Sequence, residues 1–308
     1  MAIREMQDIG SFIKMDTKTD YGKEFRNLMA GIYTQEELTR IQNARLSISG
    51  VGGSAGSYLI DILVRKGFED FILAEPEDYE IRNLSRQLFA NTETLGKSKL
   101  EMAVCHIRRI NPNVRCVTCT KIDLNNAERS IKDATIASYQ AEGFSPWLLT
   151  RYMCSKYKVP FVNVARKRKG NSRTTIATTV FDYRAMGDTF NVRQMEFEDF
   201  GIPAELTREI IEMFDSGDLR QSLLDLADKV HNEFKYNKRF LDLGGLYPEV
   251  GSIREQYPED YFKRYSDPEI CLVAGSLASR AITDLVIGRK TRVFELDIFS
   301  RKADSGEP

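Results

Sequence analysis

A short turn rich in glycine is the first feature of this sequence that could do chemistry. Gly50, Gly52 and Gly53 follow a short apolar stretch, and a helix is predicted to begin directly after them. Glycines let backbone N–H groups approach phosphate closely, and the helix N-terminus adds about half a positive charge. Glu75 ends the next predicted strand, where an acidic side chain commonly binds ribose hydroxyl groups. The turn therefore predicts a nucleotide site.

The glycines alone leave the ligand open. In the strict G-x-G-x-x-G pattern the third glycine would stand at Ala55, or at Gly56 with one residue inserted. A tight turn that binds nothing is one alternative, because the motif is common and weak. A dinucleotide, as in a nicotinamide-dependent dehydrogenase, is the first ligand that such a turn suggests, but the segment after Glu75 argues against it.

That segment is more specific than the turn. Glu77 forms an acidic-x-acidic pair with Glu75, residues 83–87 read N-L-S-R-Q, and residues 95–99 read L-G-K-S-K. This order of motifs resembles the ThiF/MoeB/HesA family, within the superfamily of ubiquitin-activating enzymes. In that family a glycine turn is followed by an acidic-x-acidic pair, N-L-x-R-Q and G-x-x-K. The resemblance extends over residues 34–182 and 270–300 and does not include the stretch between them.

The resemblance implies an enzyme that uses ATP to activate a carboxylate as an acyl-adenylate and releases pyrophosphate. Attack of a carboxylate on the α-phosphate brings two anions together, so cationic groups must stabilise the transition state. Arg86 would contact phosphate oxygens with its planar guanidinium and Lys99 with a point charge. Asn83 would donate to a phosphate or ribose oxygen, and Gln87 would support this segment. Singly, each could be a surface charge or a helix cap; together they match the family's spacing.

Magnesium is expected to accompany the ATP. The family holds Mg²⁺ with an acidic residue, usually aspartate, after a later strand, and Glu142 occupies that place here. Because the usual Asp-Asn pair is missing, Glu142 could equally be an ordinary loop carboxylate. The family's structural zinc needs two C-x-x-C pairs, and Cys116 and Cys119 form the one such pair in this sequence. On a strand these two thiols point to opposite faces, so no structural zinc is expected.

A thioester step is not expected either. Ubiquitin-type activators transfer the acyl group to a cysteine in a crossover loop, but no cysteine occurs between Cys154 and Cys271. Cys154 is therefore the one weak candidate for a nucleophile. His106 and His231 are the two histidines, and both are expected to be structural or exposed rather than catalytic.

Residues 166–173 form a strongly basic segment, with five cationic residues in eight positions. We expect a loop there that could bind an acidic peptide tail, pyrophosphate or RNA, and nucleic acid is considered for this segment alone. A solvated run of charge is the alternative interpretation.

Alternating strands and helices are predicted to position these groups. A strand at 45–49, the glycine turn, a helix and a strand at 71–74 form a βαβ unit, and further strands are predicted after it. The pattern predicts an α/β, Rossmann-like fold with a mostly parallel twisted sheet flanked by helices. We expect four parts: an N-terminal arm, 1–33; an ATP-binding adenylation domain, 34–183; an irregular helical insertion, 184–268; and a C-terminal helix and strand that complete the adenylation domain, 269–308.

The composition is that of an ordinary globular protein. Of 308 residues, 44 are basic and 45 acidic, so no overall field attracts nucleic acid or an anionic membrane. No stretch approaches the ~20 apolar residues of a membrane span, and the N-terminus lacks the apolar core of a signal peptide. Five scattered cysteines favour reduced thiols. We therefore expect a cytoplasmic protein with no membrane partner.

The leading functional prediction is an ATP-dependent adenylyltransferase in a biosynthetic or peptide-modification pathway. Its carboxylate substrate would be the C-terminus of a small carrier protein, a peptide or a small acid. The alternatives are a tRNA-modifying, carboxylate-activating dehydratase of the same superfamily and a catalytically weak nucleotide-binding scaffold. The resemblance also implies a homodimer, in which Arg26 or Arg40 could reach the phosphates bound by the partner subunit.

Overall fold

The computed structural model of the protein describes residues 29, 31–169, 173–185, 197, 201–246, 268–290 and 295–300. At 165–169, 173–177, 234–246 and 295–300 it describes the backbone alone. Most of the expected N-terminal arm, Arg26 included, lies outside the described residues.

The helices and strands alternate through the first half of the chain, as predicted. The strands are β1 (Arg45–Ser49), β2 (Asp70–Ala74), β3 (Arg115–Cys119), β4 (Ile136–Tyr139), β5 (Phe161–Lys169), β6 (Arg173–Phe181) and β7 (Glu295–Ser300). The helices are α1 (Gln35–Asn43), α2 (Ser54–Arg65), α3 (Lys99–Ile110), α4 (Ala127–Ile131), α5 (Phe144–Tyr157), α6 (Ala204–Ser216), α7 (Gln221–Leu246) and α8 (Pro268–Ile287), with a 3₁₀ turn at Ile81–Asn83.

The described strands form one seven-stranded sheet in the order β3-β2-β1-β4-β5-β6-β7. The pairs from β3 to β5 are parallel, whereas β5–β6 and β6–β7 are antiparallel. This mostly parallel, Rossmann-like sheet confirms the predicted fold class. Because β1 lies between β2 and β4, the connections that leave these strands diverge at their carboxyl ends. Such a switch point is where ligands bind in open α/β sheets.

Local sequence explains where several helices begin. Thr34 caps α1: its hydroxyl accepts a hydrogen bond from the backbone of Glu37, whose carboxylate accepts one from the Thr34 backbone. The Ser98 hydroxyl caps α3 by accepting a hydrogen bond from the backbone N–H of Glu101 (3.3 Å), and the apolar face that the helical spacing predicts for α3 is buried. That face consists of Leu100, Ala103, Val104 and Ile107.

The helices α6 and α7 lie within the predicted helical insertion and pack against α5 on one face of the sheet, where they share a second apolar core. Leu219, Leu223, Leu226 and Val230 recur at helical spacing and predict a helix here. Leu223 is buried, but Leu226 is about half exposed and Leu219 precedes α7. The 3.6-residue period therefore indicated the helix correctly and its buried face only in part.

The basic segment 166–173 is not the loop that we expected. Residues 166–169 continue β5, Arg173 begins β6, and the two strands pair up to Lys169 and Arg173. Residues 170–172 lie outside the described residues. Lysine and arginine are uncommon in strands, but here the backbone ladder with β6 decides the conformation.

Among the described helices, α8 is long and apolar enough to cross a membrane by length and composition, contrary to the expectation that no stretch approaches that length. It packs closely on α2 and also contacts β5 and β6, with two thirds of its apolar window buried. A core helix of a folded domain has this environment.

Candidate functional site

The glycine turn after β1 lies directly against the loop that follows β4. Gly50 has φ +84°, and a Cβ atom there would lie 2.4 Å from the backbone nitrogen of Ala141. The Gly50 N–H donates to the carbonyl of Ala74 at the end of β2 (2.7 Å). The turn is thus anchored at the switch point of the sheet, between the two diverging connections.

A second glycine brings α2 up to this turn. Gly53 is the N-cap of α2 and donates its N–H to the carbonyl of Gly50 (3.0 Å). A Cβ atom on Gly56 would lie 1.8 Å from that same carbonyl oxygen. The third glycine of the motif is therefore Gly56, because the close approach of helix and turn requires a glycine at that position and not at position 55. No side chain caps this end of α2, so its N-terminal field faces the turn.

Lys99 lies against Gly52 of the turn. A Cβ atom on Gly52 would lie 2.3 Å from the Cβ of Lys99, which is itself only 2% exposed. Its ammonium group is 2.6 Å from Glu77 Oε2, and its backbone N–H donates to the Glu77 carbonyl (3.0 Å). A residue from the start of α3 therefore places its cation beside the turn after β1.

Glu75 holds the turn through backbone hydrogen bonds. Its Oε2 accepts from the N–H of Gly52 and its Oε1 from the N–H of Glu77, each at 3.2 Å. Burial raises the pKa of this carboxyl group, and the nearby Lys99 ammonium partly offsets that rise. Both predicted acidic residues thus lie at the turn, Glu75 bonded to backbone and Glu77 paired with Lys99.

The N-L-x-R-Q segment runs along the first turns of α2. Arg86 Nε donates to the Ser54 hydroxyl (3.1 Å), and Arg86 Nη1 donates to the carbonyl of Arg82 (2.6 Å). The guanidinium is therefore fixed at the N-terminus of α2. Asn83 is buried, and its Oδ1 accepts from the Glu80 N–H (2.8 Å). The buried Gln87 Oε1 has no hydrogen-bond partner within the described part of the chain.

Glu142 follows β4 in the loop that touches Gly50. Its side chain is exposed, and its carbonyl accepts a hydrogen bond from the Tyr139 hydroxyl (3.1 Å). The described residues contain no group of three or more His, Cys, Asp or Glu side chains that could hold a metal ion. Mg²⁺ in nucleotide sites usually takes one or two carboxylates and completes its shell with phosphate and water, so a single carboxylate suits it.

Two residues of this site were missed by sequence reasoning. The Tyr79 hydroxyl donates to the Gly52 carbonyl (3.3 Å), and its ring lies 5.7 Å from the Lys99 ammonium. Ser54 supplies the hydroxyl that holds Arg86. The position of Ser54 directly after the glycines was a usable signal, whereas nothing near Tyr79 in the sequence indicates its long-range contacts.

Several other candidates lie away from the turn. Arg40 donates to the carbonyl of Ile287 (3.0 Å), at the C-terminus of α8 in the same chain. Cys116 contacts the first apolar core and Cys119 the second, so the two thiols occupy opposite faces of the sheet, as their spacing predicts. His106 pairs with Asp61 across α2 and α3 (2.8 Å).

We predict that Cys154 is chemically inert in the folded protein. Its side chain is fully buried, and burial raises the pKa of the thiol well above its usual range, so the nucleophilic thiolate does not form near neutral pH. Iodoacetamide at pH 7.5 should leave Cys154 unmodified in native protein and alkylate it in urea, as read by mass spectrometry. Native alkylation at a rate similar to that of the half-buried Cys105 would contradict this prediction.

The arrangement suits an anionic ligand that carries phosphate. Backbone N–H groups, an uncapped helix N-terminus and the cations of Arg86 and Lys99 meet at one edge of the sheet. A triphosphate would be stabilised there by all of these groups at once, and the carboxylates at the edge would favour a bound cation.

The ThiF family profile matches residues 25–292. A tRNA threonylcarbamoyladenosine dehydratase of Haemophilus influenzae is 35% identical over 81 residues, which cover 26% of this chain and 31% of that protein. A probable molybdopterin-synthase adenylyltransferase of Gracilaria tenuistipitata var. liui is 24% identical over 221 residues, 69% of this chain and 60% of that protein. The chain thus spans between about a third and three fifths of these relatives.

Solved structures show the same fold at low identity. A crystal structure of PaaA superposes with a TM-score of 0.55 at 13% identity and covers 96% of this chain and 78% of that one. A crystal structure of Escherichia coli MccB with ATP gives a TM-score of 0.52 at 14% identity, with 87% and 68% covered.

Proposed function

The chain belongs to the ThiF family, and from this premise we propose that it uses ATP to activate a carboxylate as an acyl-adenylate, with release of pyrophosphate. One observation carries the proposal: the two cations of the family motifs converge on one glycine turn. Lys99 lies against Gly52, and Arg86 is bonded to Ser54, two residues further along the chain.

The residues around the turn fit ATP. A Cβ atom at Gly52 would overlap Lys99, and one at Gly56 would overlap the Gly50 carbonyl, so these glycines let Lys99 and α2 pack directly against the turn. In the proposed reaction Arg86 and Lys99 stabilise the negative charge that develops at the α-phosphate. Glu75 and Glu77 hold the turn and orient Lys99, while Asn83 and Gln87 keep the Arg86 segment against α2. The unpartnered Gln87 Oε1 is an acceptor available to a bound nucleotide.

Magnesium belongs to the same proposal. When bound, Mg²⁺ would neutralise phosphate charge, and Glu142 is the residue that we propose to hold it. The exposed carboxylate of Glu142 lies in the loop that touches Gly50, so it stands at the correct edge of the sheet.

For the substrate we propose the C-terminus of a peptide or small carrier protein, or a small acid, in a biosynthetic or peptide-modification pathway. Because their sequence identity to this chain is low, the PaaA and MccB structures support the fold and say nothing about the substrate. The alignment with the probable molybdopterin-synthase adenylyltransferase covers 69% of this chain. This similarity supports adenylation of a carboxylate as the common chemistry.

A tRNA-modifying dehydratase is the second candidate, favoured by a specific observation. A tRNA threonylcarbamoyladenosine dehydratase is 35% identical to this chain over 81 residues. The strand β5 carries the basic residues 166–169 beyond its pairing with β4, which ends at Asn163, toward the carboxyl edge of the sheet. Binding of tRNA that weakens steeply with salt would support this function.

The deciding experiment is exchange of labelled pyrophosphate into ATP in the presence of candidate carboxylates. We expect exchange that depends on both Mg²⁺ and the acid. Nucleotide binding without exchange in the presence of any candidate acid would indicate a non-catalytic scaffold. Thermal stabilisation of the protein by NAD but not by ATP would indicate a dehydrogenase.

Arg86→Ala should lower the exchange rate at least about 100-fold, because it removes a charged donor from the developing phosphate charge. The matched control is Arg65→Ala. Arg65 lies at the far end of the same helix, α2, where it pairs with Asp61 (3.0 Å), and its loss should leave exchange unchanged. Equal rates in both variants would refute the proposed site.

We also propose that the protein acts as a homodimer in the cytoplasm. Arg40 donates a hydrogen bond to the carbonyl of Ile287 at the end of α8 in its own chain. We therefore propose Arg26, which lies outside the described residues, for the contact across the dimer.

A further inference from the structure

A carboxylate of the helical insertion caps the helix that follows the loop at the nucleotide edge. The helix α5 follows the Glu142 loop directly, and its N-cap is Gly143, which has φ +127° and no side chain to accept hydrogen bonds. The backbone N–H of Ser145 instead donates to Asp228 Oδ1 (2.8 Å), a residue of α7. The insertion thus supplies the cap that the local sequence lacks.

A second bond joins the same two helices at the same turn. The Ser145 hydroxyl donates to the backbone carbonyl of Leu224, one helical turn before Asp228. Both the backbone and the side chain of Ser145 are therefore held by α7. The buried Phe144 packs beside this contact, with its ring centroid 5.8 Å from that of His231, also on α7.

The N-terminus of α5 in turn determines where the Glu142 loop lies. The Tyr139 hydroxyl donates to the carbonyls of Glu142 and Gly143 (3.1 and 3.2 Å), so the loop is held from β4 as well as from α5. The loop then meets the glycine turn through the backbone contact of Ala141 with Gly50. A continuous set of contacts therefore runs from α7 through α5 to the turn.

We propose that Asp228 is a positioning residue for the nucleotide site: it fixes the N-terminus of α5 and, through it, the loop that carries Glu142 beside the turn. This inference rests on the proposed function. It gives the insertion a role in nucleotide binding that does not involve contact with the nucleotide.

The test compares Asp228→Ala with Asp228→Asn and Asp225→Ala. Asparagine keeps an oxygen that can accept from the Ser145 N–H, whereas alanine does not. Asp225 lies on α7 too, but it is exposed and bonds to Gln221 of its own helix (3.0 Å), so it is the matched control.

Asp228→Ala should raise the KM for MgATP and the Kd for a non-hydrolysable ATP analogue roughly five- to tenfold, the factor that corresponds to loss of a helix cap. Because the reacting groups are untouched, kcat should change much less. Asp228→Asn should recover most of the affinity, and Asp225→Ala should match the unaltered protein. Ser145→Ala removes the second bond to α7 and should shift KM in the same direction by a smaller factor.

The outcomes separate this inference from the proposed function. If the unaltered protein binds the analogue but catalyses no exchange, the proposed function fails, while the affinities of the variants still decide the role of Asp228. Unchanged KM and Kd in Asp228→Ala, or an Asp228→Asn variant as weak as the alanine variant, would overturn the inference. If Asp228→Ala does not fold, the same measurements on Asp228→Asn and Ser145→Ala test the positioning role of Asp228. Unchanged affinity for the analogue in Ser145→Ala would then count against that role. Failure of the unaltered protein to bind the analogue would overturn both proposals.

Discussion

Replacing Lys99 with methionine should lower the rate of ATP–pyrophosphate exchange by a factor of about 10² to 10³, the usual effect of removing a charged group from a developing oxyanion. Methionine has a side chain of similar length, so the contact with Gly52 is kept and the positive charge alone is lost. Exchange measured at saturating ATP and acid reports the loss directly. The exposed Lys132, paired with Glu128 on α4, offers a matched control as Lys132→Met.

The same substitution should make stability depend on pH in a defined direction. Burial raises the pKa of Glu75 in the folded protein, and Lys99 partly offsets this, so without Lys99 the pKa rises further. A raised folded-state pKa means that stability is lost as pH rises through that pKa, since the unfolded carboxyl group ionises more easily. The stability deficit of Lys99→Met should therefore grow from pH 5 to pH 8 in urea unfolding. A deficit independent of pH would show that Lys99 does not interact with Glu75.

The sequence predicted those parts of the site that depend on neighbours along the chain. The run from Thr34 to Leu38 predicts a capped helix start because capping joins residues three positions apart, and the sequence also predicts that a helix begins near Ser98. The glycine turn was predicted from the strand and helix periodicities on either side of it. The parallel sheet followed from the same alternation, because parallel strands need helical crossovers.

The sequence could not predict contacts that depend on how distant segments pack. Tyr79 reaches Gly52 and Asp228 reaches Ser145 through the tertiary arrangement, and no local pattern marks either residue. The density of basic residues after a predicted strand suggests a loop at 166–169, yet pairing with β6 extends the strand through these residues. For Tyr79 and Asp228 the deciding contact is with a segment far along the chain, whereas for residues 166–169 it is the pairing with the next strand.

The tight contact of α2 with the turn depends on glycine at position 56. Alanine is normally a better helix former than glycine, by up to about 1 kcal/mol, so a glycine in the first turn of α2 needs a compensating reason. Gly56 is fully enclosed, and a Cβ atom there would overlap the Gly50 carbonyl oxygen at 1.8 Å and its carbon at 2.7 Å. Both atoms belong to backbone, so no side chain can rotate out of the way.

Gly56→Ala should therefore destabilise the protein by about 3 kcal/mol, near the upper end of the range for overpacking, and should abolish exchange. The helix must move away from Gly50, which separates the N-terminus of α2 and the attached Arg86 from Lys99 on the other side of the turn. The melting temperature should fall by roughly 6 to 10 °C. Gly31→Ala is the control: nothing lies within 4 Å of a Cβ atom at Gly31, so both stability and exchange should stay unchanged. A folded Gly56→Ala protein with full exchange activity would show that the spacing of helix and turn does not matter for the reaction.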